Sequence, residues 1–168
     1  MKKLIAYSVL LTVFIFNSGA GCGSKTDDPQ PDNFQSLIGK WEAIRAKYEI
    51  TKQDGTEIST GPELKANGTV LIWEFFSDGR LKTTLDGTSR EVRWELKVQR
   101  LNGKDIDVGE LKIIGDEERE FAQSIGQSGD LTYAIETSAN SNTMSLRVDA
   151  TKVSPYKKNI LIYTYHKL

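Results

Sequence analysis

Cysteine and histidine are almost absent from this chain, which contains one of each among its 168 residues. A single cysteine excludes an intrachain disulfide framework. A single histidine excludes a metal site built from several imidazoles. Only four prolines occur, and they lie mainly in the first part of the chain and in loops. The composition therefore favours an ordinary globular core, without disulfide or metal reinforcement.

An excess of charge of one sign is also missing, since 22 basic residues face 23 acidic ones. Nucleic-acid binding, which needs a basic surface, is not indicated. The chain has neither a glycine-rich phosphate loop nor a serine nucleophile motif, and the acidic cluster at 116–120 is interpreted as the solvated start of a helix. We therefore predict a protein that is not an enzyme and has no cofactor and no metal.

Long hydrophobic runs are missing as well, because the apolar stretch at 4–16 is too short to span a membrane. Two lysines precede it, and small residues at 17–21 lead to Cys22. The layout resembles a bacterial lipoprotein signal peptide, although Gly19 stands where a leucine is usual. The resemblance implies a signal peptide at 1–21 and a lipidated Cys22 carrying acyl chains such as palmitate. An ordinary secretory signal with an incidental cysteine is the alternative.

A lipidated Cys22 would anchor the protein in the outer membrane of a Gram-negative cell envelope, facing the periplasm or the cell surface. Residues 22–33 are polar and include two prolines, so they are predicted to form a flexible tether. Ser24 and Lys25 followed by two aspartates resemble the surface-export signal of some Gram-negative lipoproteins. A plain solvated linker explains the same residues, and both interpretations stay open.

Residues 34–168 form the predicted domain, in which short strands follow one another with turn residues between them. Closing eight such strands removes exposed sheet edges, so we expect an all-β, eight-stranded antiparallel up-and-down barrel. A two-sheet β-sandwich is the alternative. We predict strands at 42–50, 70–77, 80–86, 90–99, 107–114, 131–137, 144–149 and 160–166. A short helix or ordered loop is expected at 116–125, and 57–68 is interpreted as a long loop with room for a short strand.

Gly39 and Trp41 open this series of strands. Glycine lets the backbone turn closely into the strand, and tryptophan there is predicted to be a buried plug. Trp41 has the opposite parity to the apolar residues from Ile44 onward, which predicts a twist or bulge near residue 43. A helical turn is expected at 33–38, with Asn33 as its cap.

Gly39 and Trp41, followed by the apolar strand and Asp-Gly turn at 73–79, resemble the lipocalins and especially the bacterial lipocalin-like lipoproteins. This resemblance implies the barrel, a short N-terminal helical turn and non-enzymatic binding. Lipocalins also carry a late basic residue that packs on the tryptophan. Residues 166–167 fall near that place, but the sequence assigns them no role.

Four aromatic residues are predicted to point into the barrel and to contact a small hydrophobic or amphipathic ligand: Trp73, Phe75, Trp94 and Tyr133. An eight-stranded barrel can be just filled by side chains or can hold one small ligand. If it is filled, the alternative function is an inhibitor or interaction module that contacts an envelope protein through the loops at 51–69 and 115–130.

Overall fold

The computed structural model describes residues 35–103, 105–138 and 140–168, which form one antiparallel sheet with a short helix. The elements are β1 (Gly39–Thr51), β2 (Glu57–Thr60), β3 (Leu71–Phe75), β4 (Arg80–Leu85), β5 (Thr88–Asn102), β6 (Asp105–Ile114), α1 (Asp116–Ser124), β7 (Leu131–Ser138), β8 (Thr143–Asp149) and β9 (Lys158–Lys167).

The sheet closes on itself, because β9 pairs with β1 from Trp41 opposite Lys167 to Thr51 opposite Lys158. From β3 to β9 each strand pairs with the next one in the chain, and the first residues of β1 pair with β3. The eight-stranded up-and-down barrel is thereby confirmed, and the two-sheet sandwich is excluded. The ninth strand, β2, is a short addition beside the last four residues of β1.

The predicted irregularity in β1 is present between Ala43 and Arg45, where the register against β9 shifts. An extra residue in one strand changes which side chains face inward. Trp41 and Ala43 are buried before the shift and Ala46 after it, whereas Ile44 lies between them. The bulge therefore lets both apolar parities of β1 contribute to one interior.

Two-residue turns connect some of the strands as the sequence predicts. Asp86 and Gly87 both have positive φ, at 47° and 88°, which suits the tight hairpin between β4 and β5. Strand β5 alternates as expected, with Trp94 and Leu96 buried and the alternating Arg93, Glu95 and Lys97 exposed. Helix α1 confirms the helix at 116–125. None of the helices within the described ranges is long and apolar enough to cross a membrane.

The barrel has two different ends. One end, the floor, carries the turn at 35–37, the turn at 76–79 and the C-terminus. The opposite end, the mouth, carries α1 and the loops at 52–56, 86–87 and 150–157. The short strand β2 and the segment leading to β3 also begin at the mouth.

Trp41 plugs the floor, as predicted: it is 2% exposed, and its Nε1 donates to the Leu37 carbonyl at 2.7 Å. Lys167 lies over its ring, with Nζ 5.2 Å from the ring centroid, and donates to the Ser36 carbonyl at 2.8 Å. These contacts hold the turn at 35–37 against the start of β1 and the end of β9. Residues 33 and 34 of the predicted helical turn lie outside the described residues.

Candidate ligand-binding site

The four predicted contact residues come together in one aromatic cluster. Trp73 is central, with its ring centroid 6.0 Å from those of Phe75 and Tyr133. Phe75 in turn meets Trp94 edge-on at 5.3 Å. Tyr165, which the sequence did not single out, completes the cluster at 5.3 Å from Trp73. Edge-to-face contacts at these distances are favourable for aromatic rings.

The lower part of this cluster is a filled core. Phe75 and Trp94 are each 1% exposed, and Trp94 Nε1 donates to the Arg80 carbonyl at 3.0 Å. Leu81 and Leu146, which are fully buried, pack in the same core. Side chains in such an interior are close-packed. Trp73 and Tyr133 form the upper level of the cluster and are the members nearest the mouth.

Inward-facing residues above this level are only partly buried. Four of them, Tyr48, Leu71, Val92 and Tyr163, come from different strands and pack against the core while keeping some exposure. Phe121 of α1 joins them from above. We call these partly exposed, largely apolar and aromatic side chains at the mouth the cup. They lie above a solid core, and such residues are the usual lining of a site for a small ligand.

Tyrosine hydroxyls add polar groups to this cup. Burial raises the pKa of Tyr48, and it raises the pKa of Tyr163 and Tyr133 further. Repulsion from Tyr48 also raises the pKa of Tyr163, and repulsion from Tyr163 also raises the pKa of Tyr133. The three hydroxyls are therefore near one another. All three remain neutral at physiological pH and can donate or accept hydrogen bonds.

A buried ion pair joins α1 to the barrel wall at the mouth. Glu118, on the barrel-facing side of α1, is 5% exposed and pairs with Arg90 of β5. Arg90 also pairs with the more exposed Glu117. The interpretation of 116–120 as a solvated helix start is thus wrong for Glu118. The sequence misleads here because three acidic residues in a helix's first turn usually face water.

Arg90 faces the interior of the barrel, since it has the same parity in β5 as Val92 and the buried Trp94. It lies directly opposite Thr83 of β4, which is 8% exposed. The sequence contains a signal for this placement, because the β5 alternation extends back from Val92 to residue 90. Tyr133 is close to both charges: the Glu118 carboxylate contributes to raising the pKa of Tyr133, and Arg90 partly offsets it.

Gly115 makes room for the Glu118 carboxylate. A Cβ added to Gly115 would lie 2.2 Å from Glu118 Oε2 and 3.1 Å from Val92 Cγ1, so a larger residue would displace the carboxylate. Burial raises the pKa of Glu118, and Arg90 counteracts this only in part. While Oε1 contacts Arg90, Oε2 is buried and has no hydrogen-bond partner in the described part of the chain.

Outside the barrel wall, a groove of about 590 Å³, lined mainly by polar residues, lies between the loop after α1 and the loop after β8. Its aspartates have partners: Asp130 accepts from Arg119, and Asp149 accepts from the Thr151 backbone N–H. Thr132, which also lines it, has the parity opposite to the buried Leu131 and Tyr133. The groove therefore does not communicate with the aromatic cluster through β7.

Cys22 and the whole leader and tether lie outside the described residues. Within those residues, His, Cys, Asp and Glu form no group of three or more that could hold a metal ion. The structure therefore locates the four aromatic residues and Trp41, and it adds the mouth, with Arg90 and Glu118, to the candidate site.

No protein-family model, curated protein or solved structure was found to match this chain. The class of the protein consequently rests on its own fold and site. It is a closed eight-stranded antiparallel barrel with a plugged floor, a filled lower half and a partly exposed aromatic mouth.

Proposed function

We propose that this protein is a non-enzymatic, lipocalin-like lipoprotein of the Gram-negative cell envelope that binds a small hydrophobic or amphipathic ligand. The ligand would sit in the mouth of the barrel, against Leu71 and Tyr163, with Trp73 and Tyr133 beneath it. Phe75 and Trp94 would support these contacts from below. Cys22 would carry the acyl chains that hold the protein at the outer membrane.

The observation that carries the binding proposal is the contrast in exposure along one interior. Apolar and aromatic side chains point inward throughout the barrel, yet several of those at the mouth, including Tyr48, Leu71 and Tyr163, keep contact with solvent. Exposed apolar surface that is concave and rimmed by polar groups is typical of ligand sites.

The lipocalin comparison is supported by the floor. Lys167 packs on Trp41 and hydrogen-bonds the turn at 35–37, as a late basic residue does in the lipocalins. The sequence left this role unassigned. One contact of this kind supports a resemblance in architecture, and it carries no information about which molecule is bound.

The binding proposal is tested with the chain from residue 23 onward, since the barrel's strands find their partners within residues 39–167. Titration with N-phenyl-1-naphthylamine, a neutral apolar fluorescent probe, should give saturable binding of one molecule per chain. Native mass spectrometry of the same protein would show any ligand that co-purifies.

Two neighbouring substitutions locate the site. Leu71→Trp should fill the mouth and abolish probe binding. Val70→Trp is the matched control, since Val70 is 39% exposed and precedes the inward-facing Leu71. Absence of saturable binding, or equal loss of binding in the two variants, would contradict the proposal. In that case the alternative, a filled barrel that contacts an envelope protein through 51–69 and 115–130, becomes the better account.

Membrane anchorage is tested separately in the full chain. Cys22→Ser should move the protein from the membrane fraction to the soluble fraction, or block its processing. The mature mass of the unaltered protein should include three acyl chains. Unchanged membrane association together with an unchanged mature mass would show that Cys22 is not lipidated.

A further inference from the structure

The buried Glu118–Arg90 pair gives the mouth a charged group that can distinguish one polar end of a ligand from another. The apolar side chains around it cannot do so. Glu118 projects from the barrel-facing side of α1, and Arg90 projects inward from β5 beside Val92. The pair therefore lies at the edge of the cup described above. Anything that enters the cup at this side meets a charged group surrounded by apolar side chains.

The charged side chains around the Glu118–Arg90 pair have a net negative charge. Arg90 supplies one positive charge, and Glu117 and Glu118 both pair with it. Asp116, in the same helical turn, pairs with Arg119, so that these two arginines and three carboxylates together carry one negative charge. A ligand anion brought here would be repelled by the carboxylates, whereas a cation would be attracted.

Glu118 also leaves hydrogen-bonding capacity unused. A carboxylate oxygen that is buried without a donor is costly, because it has lost its contacts with water. Glu118 Oε2 is in this position, next to Gly115 and Val92. A donor supplied by a ligand would relieve the cost, and a donor with a positive charge would do so most strongly.

We propose that the mouth selects amphipathic ligands whose polar end is a hydrogen-bond donor, foremost a protonated amine, and discriminates against ligands that end in a carboxylate. The amine would donate to Glu118 Oε2, and the apolar part would lie against Leu71 and Tyr163. The ring of a tyrosine can also attract a cation. This inference rests on the proposed function, because it concerns the same cup.

The test compares three ligands with the same ten-carbon chain: 1-aminodecane, 1-decanol and decanoate. Each is titrated by calorimetry, below its micelle concentration and at neutral pH, into the chain from residue 23 onward. We expect 1-aminodecane to bind at least about tenfold more tightly than decanoate, which is the scale of one charge-assisted hydrogen bond. The alcohol, a neutral donor, should fall between them.

Two substitutions test whether Glu118 causes the preference for the amine. Glu118→Gln should reduce the ratio of amine to carboxylate affinity to below about threefold. Glu120→Gln, on the exposed side of the same helix, should leave the ratio unchanged. Circular dichroism and the melting temperature show whether each variant folds. If Glu118→Gln does not fold, the comparison of the three ligands on the unaltered chain still tests the preference for the amine.

The outcomes separate this inference from the proposed function. Equal binding of amine and carboxylate, or tighter binding of decanoate, would overturn the inference and leave the binding function standing. It would mean that water satisfies Glu118 Oε2. A preference that survives Glu118→Gln would also overturn it. If none of the three ligands binds, the inference fails, and the titration with N-phenyl-1-naphthylamine decides whether the proposed function stands.

Discussion

The two ends of this barrel are built from the same strands and behave differently. At the floor, Leu37, Trp41 and Phe75 are at most 2% exposed, and hydrogen bonds from Trp41 and Lys167 close the end. At the mouth, inward-facing residues of the same strands, such as Leu71, stay partly exposed. A single closed sheet thus combines a close-packed core with a partly exposed mouth.

This difference shows that the barrel interior is not uniform: its lower half is filled by side chains, and its upper half is partly exposed. An eight-stranded barrel has an interior that side chains can just fill, and here large aromatic residues fill the lower half. The upper half also contains aromatic rings, but several of its inward-facing side chains, including Leu71 and Tyr163, stay partly exposed. Stability should therefore depend mainly on the floor, and binding mainly on the mouth.

The largest expected effect is at the floor. Trp41→Ala should reduce the free energy of unfolding by about 3–5 kcal/mol, because it leaves a cavity and removes the hydrogen bond to Leu37. Chemical denaturation measures the loss. Trp41→Phe, which retains most of the ring, should cost distinctly less. A loss within error for Trp41→Ala would show that the floor does not stabilise the barrel.

Two leucines on paired strands compare the ends directly. Leu81 of β4 is fully buried, whereas Leu71 of β3 is partly exposed at the mouth. Leu81→Ala should cost about 2–5 kcal/mol, and Leu71→Ala only about 1 kcal/mol, because fewer neighbours surround it. Probe binding should fall in Leu71→Ala alone. Equal losses of stability would mean that the mouth is as well packed as the core.

Lys167→Met also tests the closure of the floor, with a smaller expected loss of stability. It removes the hydrogen bond to the Ser36 carbonyl and the contact with the Trp41 ring, for an expected cost of about 1–2 kcal/mol. Lys158→Met is the control at the other end of β9, where an exposed pair with Glu49 should contribute less than about 1 kcal/mol. Equal effects would argue against a special role for Lys167.

The smallest effect is a slope with pH at the mouth. Burial raises the pKa of Glu118 in the folded protein above its unfolded value, despite Arg90. Between these two pKa values the native state binds more protons than the unfolded state, so this contribution to stability falls as pH rises. The unfolding free energy of the unaltered protein minus that of Glu118→Gln should therefore decrease as the pH rises above the pKa of Glu118 in the unfolded chain.

Asp78→Asn provides the opposite slope as a control. Its hydrogen bond from Arg80 lowers the pKa of Asp78, so the corresponding difference should rise with pH over the acidic range. Denaturation curves at several pH values measure both differences. A Glu118 difference that is flat or that rises would show that its carboxylate is better stabilised by Arg90 than its burial implies.

Much of the barrel could be predicted because its signals are local. Alternation in β5, the turn at Asp86 and Gly87, and the parity change near Ala43 each depend on residues close in sequence. The candidate site was predicted less completely. The aromatic residues were found by parity. Arg90 was placed in the predicted strand at 90–99 but not assigned to the interior, because charged residues rarely face a barrel core.

The sequence by itself determined the eight strands of the barrel, their faces and the position of Trp41, because side-chain period and turn chemistry are properties of short segments. Only the tertiary structure decided what meets across the barrel. It set Lys167 on Trp41, Glu118 on Arg90, and Trp73 among Phe75, Tyr133 and Tyr165. Such contacts join residues far apart in the chain. The distances between these residues depend on the tilt of the strands in the closed sheet and on the space inside it.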